Sequence, residues 1–330
     1  MTDPPATIND VAAAAGVSRQ TVTRAVNNMA GISADTRDRV LAAARELQYR
    51  PSRFGRGLVN PTTRTLGLLI DDLGNPYYAE LASEILDLAS AAGWNVILAE
   101  RAHTVAGHFP VDELASQVDA IISFISVGLP PSRDGLSAVP LVEIDPPAAG
   151  ANHGRVELNR ERAIADAVGH LHERGVRQPV ILDQLGPSLR AVQFAQAFDR
   201  IGVESVRIGS ASTGLDGGFQ AGQRVLAERP GTDAVVAFND VMALGALRAL
   251  QLAGVAVPGR IRVLGVDGLE IGRFVSPRLS TLALDMPLVA RTALDLVLTL
   301  HANGRSGVTG IERSQLSHRI DYTFDIGEST

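Results

Sequence analysis

Arg19, Gln20, Thr23, Arg24 and Asn27 fall on one face if residues 18–27 are helical, because a helix returns to the same side every three or four residues. Arg can fork to guanine O6 and N7, and Gln can pair with adenine N6 and N7, so this face has the chemistry to read a DNA major groove. The plainer reading is a solvated polar helix face. Farther along, Asn239 and Asp267 each follow an apolar run that reads as a strand, and the C-terminal ends of strands are where α/β sheets place ligands. Taken singly, Asn239 suits a helix N-cap and Asp267 a turn. Tyr77 and Tyr78 offer rings for stacking on a ligand, although one of such a pair commonly packs beneath a cleft. Enzymatic signatures are missing: the chain has no Gly-x-x-x-x-Gly-Lys phosphate loop, no His-Glu-x-x-His and no Gly-x-Ser-x-Gly. Seven scattered His and no Cys leave no ligand spacing for a metal, so no catalytic residue, metal or cofactor is expected.

The DNA-reading face needs a scaffold, and the first fifty residues supply one. Thr7 followed by Asp10 resembles a capping box, and a helix through Ala15 ends at Gly16. Ser18 caps a second helix through Asn27, Ser33 a third, and Tyr49-Arg50-Pro51 stops the third. Val11, Ala15, Val17 and Val22 form a shared core with small Ala12 at the crossing, which is helix-turn-helix spacing. Residues 52–64 combine basic charge with two glycines and a proline, a linker composition. From Thr65 onward, apolar strand-like runs alternate with helical patterns, predicting doubly wound parallel sheets. About 265 residues are long for one sheet, so two α/β lobes flanking a cleft are expected. The organisation is therefore a helix-turn-helix domain over 1–51, a hinge over 52–64, and a two-lobed α/β domain over 65–330, to which the family resemblance given below adds effector binding and dimerisation.

Composition agrees with that division. The 330 residues are 45% hydrophobic and 20% charged, as in an ordinary globular protein. Net charge is −6 overall, yet residues 1–64 hold nine Arg against five acids, a net of +4, so the basic part is the candidate DNA-binding end. All cationic side chains are Arg, a uniform bias that carries no functional weight. No apolar run approaches a membrane span, and the first residues lack a secretory signature, so no membrane association and a cytoplasmic location are expected.

Thr7-Ile8-Asn9-Asp10-Val11-Ala12, Gly16-Val17-Ser18 and Gln20-Thr21-Val22-Thr23-Arg24-Ala25-Val26-Asn27 resemble the N-terminal signature of the lactose-repressor (LacI) family of bacterial transcription regulators. Ser33-Ala34-Asp35-Thr36-Arg37 and Leu47-Gln48-Tyr49-Arg50-Pro51 are similar to that family's third helix. Asn75-Pro76-Tyr77-Tyr78, the run Phe238 to Gly245, and Val263-Leu264-Gly265-Val266-Asp267 resemble its effector-binding core, itself similar to periplasmic sugar-binding proteins. The resemblance implies a homodimer on a near-palindromic operator, with a small molecule in each cleft changing DNA affinity. The DNA-contacting set is then Thr7, Ser18, Arg19, Gln20, Thr21, Thr23, Arg24, Asn27, Arg53 and Leu58. Leu58 falls at the hinge position of a minor-groove leucine, where an apolar wedge unstacks a base step; its plainer reading is an ordinary linker residue. Gly55 and Gly57 weaken a helix there, so a hinge that folds only on DNA is expected. Arg190 matches the family position that binds effector hydroxyls or carboxylates, against the plainer reading of a surface salt bridge. The effector set is Tyr77, Tyr78, Arg190, Asn239 and Asp267, and the leading ligand class is a sugar or related metabolite, followed by a nucleoside or small acid. Leu158, Thr213 and Leu284 stand where relatives carry more polar or aromatic residues, which suggests a pocket less polar than a hexose site. The competing function is a solute-binding protein with no DNA role, which the core alone would support.

Overall fold

The computed structural model describes residues 7–26, 29–47, 64–101, 114–115, 117–124, 139–146, 153–306 and 316–330. The chain divides into two compact units, one of Met1–Arg64 with Gly93–Asn95 and one of Thr65–Ala92 with Val96–Thr330. Arg64, assigned to the hinge by composition, is the first residue of a strand.

In the first unit, α1 (Ile8–Ala15), α2 (Arg19–Val26) and α3 (Ala34–Glu46) enclose a small core of Val11, Ala12, Val22, Ala25, Val40 and Ala43. Asp10 accepts both the backbone N–H and the hydroxyl of Thr7 at 2.7 Å, fixing the start of α1. These bonds hold the Asp10 carboxyl below its usual range. Gly16 ends the helix in the left-handed region at φ 63°, a conformation that penalises any Cβ, and this reverses the chain within two residues. Ser18 Oγ then accepts the Thr21 N–H at 3.2 Å and Ser33 Oγ the Thr36 N–H at 3.2 Å, so α2 and α3 both begin on a serine cap.

The remainder of the chain forms two six-stranded sheets, whose strands belong to the second unit except for the first residue of one strand, Arg64, and the first two of another, Trp94 and Asn95. Lobe 1 has the order β11-β5-β4-β3-β1-β2, built from β1 (Arg64–Ile70), β2 (Trp94–Glu100), β3 (Ala120–Ser123), β4 (Leu141–Ile144), β5 (Gly154–Asn159) and β11 (Ser317–Asp321). Lobe 2 has the order β12-β10-β9-β8-β6-β7, built from β6 (Pro179–Gln184), β7 (Val206–Ser210), β8 (Ala234–Ala237), β9 (Arg262–Asp267), β10 (Ser280–Ala283) and β12 (Thr323–Asp325). Runs such as Leu66 to Ile70 and Ala234 to Ala237 are apolar and buried, the pattern of strands covered on both faces by helices. The helices are α4 (Pro76–Ala91), α5 (Glu161–Glu173), α6 (Leu189–Arg200), α7 (Leu215–Glu228), α8 (Asp240–Leu252) and α9 (Met286–Ser306).

Two features go beyond simple βα alternation. β12 runs antiparallel to β10 at the edge of lobe 2. The chain also passes between the sheets three times, after β5, after β10 and between β11 and β12. The first and third crossings are tied together: the Tyr322 N–H donates to the Asn159 carbonyl at 2.9 Å, and Asn159 Nδ2 to Asp321 Oδ1 at 2.6 Å. β5 alternates Val156 and Leu158 with Arg155, Glu157 and Asn159 and is buried at every second residue, whereas the short β10, β11 and β12 have no clear period-two pattern and are set by the sheets they join.

Candidate functional site

On α2, Val22 and Ala25 point into the three-helix core, which turns the opposite face outward. Arg19 and Gln20 are exposed, and Thr23 and Arg24 are half-buried beside them. Ser18 and Thr21 also share a hydroxyl contact at 3.0 Å, and Thr23 Oγ1 donates back to the Arg19 carbonyl at 3.1 Å, so their hydroxyls serve the helix as well as its surface. Thr7 is exposed at the start of α1. Asn27, Arg53 and Leu58 lie outside the described residues.

In the second unit, Arg190, Asp267 and the Tyr77–Tyr78 pair come together between the lobes. Asn75 caps α4 by accepting the Tyr77 N–H at 3.1 Å, with Pro76 in the first turn, and this presents two half-buried tyrosines whose rings meet edge to face at 5.1 Å. Asp267 closes β9, and Arg190 lies in the first turn of α6. Arg190 Nη1 is 3.8 Å from Asp267 Oδ1, donates to the Phe238 carbonyl, and its guanidinium lies 4.6 Å from the Phe238 ring centroid. The side chain is 17% exposed, so it is not a surface salt bridge. Burial pushes the Asp267 carboxyl up to about 7 against the pull of Arg190, and the nearby Asp240 adds to the rise. Burial also raises the Tyr78 hydroxyl, with Asp71 and Asp267 next in effect.

Asn239 is a helix N-cap: its side-chain oxygen accepts the Met242 N–H at 2.7 Å at the start of α8, with 2% of the residue exposed. Its neighbour Asp240, whose role the sequence did not signal, organises the site. Asp240 accepts the Thr281 hydroxyl at 2.6 Å and the Leu269 N–H at 2.7 Å, locking the turn that follows Asp267. A Cβ at Gly265 would collide with this carboxylate, which explains the glycine two residues before Asp267. Burial raises Asp240 to about 6, offset by the bonds from Thr281, Leu269 and Gly268.

Three further residues flank this cluster and were not singled out from sequence. Arg160, 8% exposed, pairs with Asp145, donates to the Leu158 carbonyl at 3.3 Å, and lies 4.8 Å from the Tyr322 ring centroid. Burial leads the rise in the Tyr77 hydroxyl, and Tyr322, Asp267 and Asp145 add to it, so groups of both lobes act at one point. Leu158 and Leu284 are buried, at 6% and 7% exposure. Across the lobes, the Glu80 carboxylate of α4 accepts the Glu270 N–H, and burial raises its pKa.

Residues 7–52 match the family described as bacterial regulatory proteins, lacI family, and residues 168–320 match a periplasmic binding protein-like domain. Catabolite control protein A of Priestia megaterium is 30% identical over 96% of this chain and 98% of its own. A LacI family transcriptional regulator from Arthrobacter sp. FB24, solved in complex with lactose, is 31% identical with a TM-score of 0.73, over 81% of this chain and 99% of that one. The lac repressor dimer bound to operator and the anti-inducer ONPF is 26% identical with a TM-score of 0.70, over 99% of both chains. A helix-turn-helix unit followed by two parallel-sheet lobes, similar along nearly its full length to such regulators, makes this chain a member of the lacI family of bacterial regulatory proteins.

Proposed function

We propose that this chain is a repressor whose helix-turn-helix reads a near-palindromic operator and whose inter-lobe cleft binds a sugar or related metabolite that changes operator affinity. Base readout is assigned to Gln20 and Arg24, with Arg19 shared between bases and phosphates; Thr7, Ser18, Thr21, Thr23, Asn27 and Arg53 contact the backbone or adjoining bases, and Leu58 wedges the minor groove. The effector site comprises Tyr77, Tyr78, Arg190, Asn239 and Asp267. Two copies on one operator give a homodimer, and the place of action is the cytoplasm. No helix among the described residues is long and apolar enough to cross a membrane.

The observation that carries this reading is the convergence of Arg190, Asp267 and Tyr78 at strand and helix ends in one cleft, in a chain whose residues 7–52 match the family's DNA-binding part. A solute-binding protein without a DNA role would have no use for that part. Filter binding with genomic fragments at moderate salt separates the two: a regulator retains a few fragments specifically, and a solute-binding protein retains none above random DNA.

A further inference from the structure

The two lobes carry equivalent loops after their first strands, and each loop holds leucine side chains out in water. In lobe 1, β1 leads through Asp71-Asp72-Leu73-Gly74-Asn75 into α4; in lobe 2, β6 leads through Leu185-Gly186-Pro187-Ser188 into α6. Leu73 is 44% exposed, Leu185 and Leu189 are each 69% exposed, and Val192 is open one turn farther along α6. Neither loop is slack. Asp183, a fully buried carboxylate near the end of β6, accepts the Gln184 and Ser188 N–H groups at 2.9 Å and faces Arg207 of β7 at 3.4 Å. Arg207 in turn donates to the Gln184 and Leu185 carbonyls at 2.9 and 3.2 Å. In lobe 1 the Leu73 N–H donates to Glu100 of β2 at 2.6 Å, the Gly74 N–H to Asp72 at 2.8 Å, and Arg101 Nε to Asp71 at 2.6 Å.

Burying a carboxylate costs free energy even when donors surround it, and here the result is a stiff loop whose leucines remain wet. Such bracing serves a contact made in another arrangement of the lobes, because a preordered surface loses less entropy when it is covered. Topology names the partner. In each sheet the strand before the loop lies beside an outer edge strand, β2 or β7, whereas the inter-lobe crossings leave from β5, β10 and β11 toward the opposite edge. Both loops therefore stand at the mouth of the cleft, where rotation about the crossings gives the largest displacement. Tyr78, just after the lobe 1 loop, is within electrostatic reach of Asp71 on its own side and of Arg190, the neighbour of Leu189, on the other. Resting on the effector-cleft reading above, we propose that Leu73 of lobe 1 and Leu185 and Leu189 of lobe 2 form an apolar clasp that meets when the lobes close and so sets how strongly the chain favours its closed arrangement. A contact present in one arrangement alone shifts the equilibrium between the two, and operator affinity follows that shift.

The chain has no cysteine, so Leu73→Cys with Leu185→Cys, or Leu73→Cys with Leu189→Cys, supplies the only two thiols of the full chain. Oxidised glutathione drives disulfide formation, and mass spectrometry of mixed 15N-labelled and unlabelled chains separates bonds within a chain from bonds between copies. Leu73→Cys with Leu252→Cys is the control, since Leu252 is exposed at the far end of α8 from the cleft. A disulfide needs Cα atoms within about 7 Å, so at least one clasp pair should close tenfold or more faster than the control. All the substituted leucines are exposed, and the reduced variants should melt like the parent. Clasp pairs that close no faster than the control overturn the proposal and leave the effector site standing, because no ligand enters this assay. The faster pair, oxidised and reduced, is then titrated onto a DNA fragment that the parent retains in genomic filter binding. Locking the mouth should change operator affinity at least fivefold, while each single-cysteine variant under the same oxidant binds like the parent. An operator affinity that the lock leaves unmoved overturns the clasp's role in regulation. A parent that retains no fragment above random DNA removes the regulator reading, and that role with it.

Discussion

Thr281→Val probes how the cleft is held in shape, because it deletes a hydroxyl and keeps a branched side chain of similar outline. In the parent, that hydroxyl donates to Asp240 at 2.6 Å in a fully buried setting, and the same oxygen accepts the Gly268 N–H at 3.3 Å. A hydrogen bond to a charged group contributes about 1.5–3 kcal/mol and one to a neutral group about 0.5–1.5 kcal/mol. Burial raises Asp240 to about 6 in the folded protein, against an ordinary carboxyl value of 3.8. Its stability contribution is therefore complete below about 4 and is lost as pH rises through about 6. Removing the Thr281 bond raises the folded pKa further and enlarges the loss on the alkaline side. The variant should thus cost about 2 kcal/mol at pH 8, where Asp240 is ionised, and about 1 kcal/mol at pH 5, where it is mostly neutral. Chemical denaturation at the two pH values measures both. In melting temperature the pH 8 cost corresponds to roughly 4–8 °C for a unit of this size. Equal destabilisation at both pH values, or a larger one at pH 5, would refute the reasoning that an ionised Asp240 depends on this hydroxyl.

Gln20→Ala and Arg24→Ala should each lose about 1–3 kcal/mol on the selected operator and far less on random DNA, measured by fluorescence anisotropy; equal losses on both assign the residue to phosphate contact. Arg190→Ala should abolish the effector response while operator binding without ligand persists, since the residue lies outside the DNA-binding unit; an unchanged response in calorimetry and operator titration removes Arg190 from the site. Asp267, raised by burial to about 7, should make the fold less stable as pH climbs from about 4 to 7, and Asp267→Asn should flatten that dependence; a parallel pH profile for the variant contradicts the burial argument. Leu58→Ala should bend and bind the operator less well, and parental bending by gel mobility would eliminate the wedge.

The helix-turn-helix was legible because each of its signals is local. Gly16, the caps at Ser18 and Ser33, and the apolar stripe through Val11 and Val22 act within a few residues of one another. The major strands were legible as continuous apolar runs. Less of the cleft could be read. Arg190 and Asp267 lie 77 positions apart and were expected in one place from the family resemblance, not from spacing. Arg160 and Asp145 are 15 residues apart across a strand, and Tyr322 is 162 residues beyond Arg160, so only folding brings them together. No local pattern distinguishes Arg160 from any other polar residue at a helix start. Asp240 was hidden differently: a charged residue after an N-cap reads as a favourable first-turn acid, and its burial becomes evident only when Gly265 and Thr281 pack against it.

Control of operator binding by a ligand in the cleft is tested most directly by one titration. The full chain is titrated onto a fragment retained in genomic filter binding, with and without a sugar that raises its melting temperature. The expected result is at least a thousandfold preference for the fragment over random DNA and a shift in its affinity of fivefold or more when the sugar is present, in line with roughly 1–3 kcal/mol of coupling. An affinity no better than for random DNA, or a specific affinity that the bound sugar leaves unmoved, would contradict it.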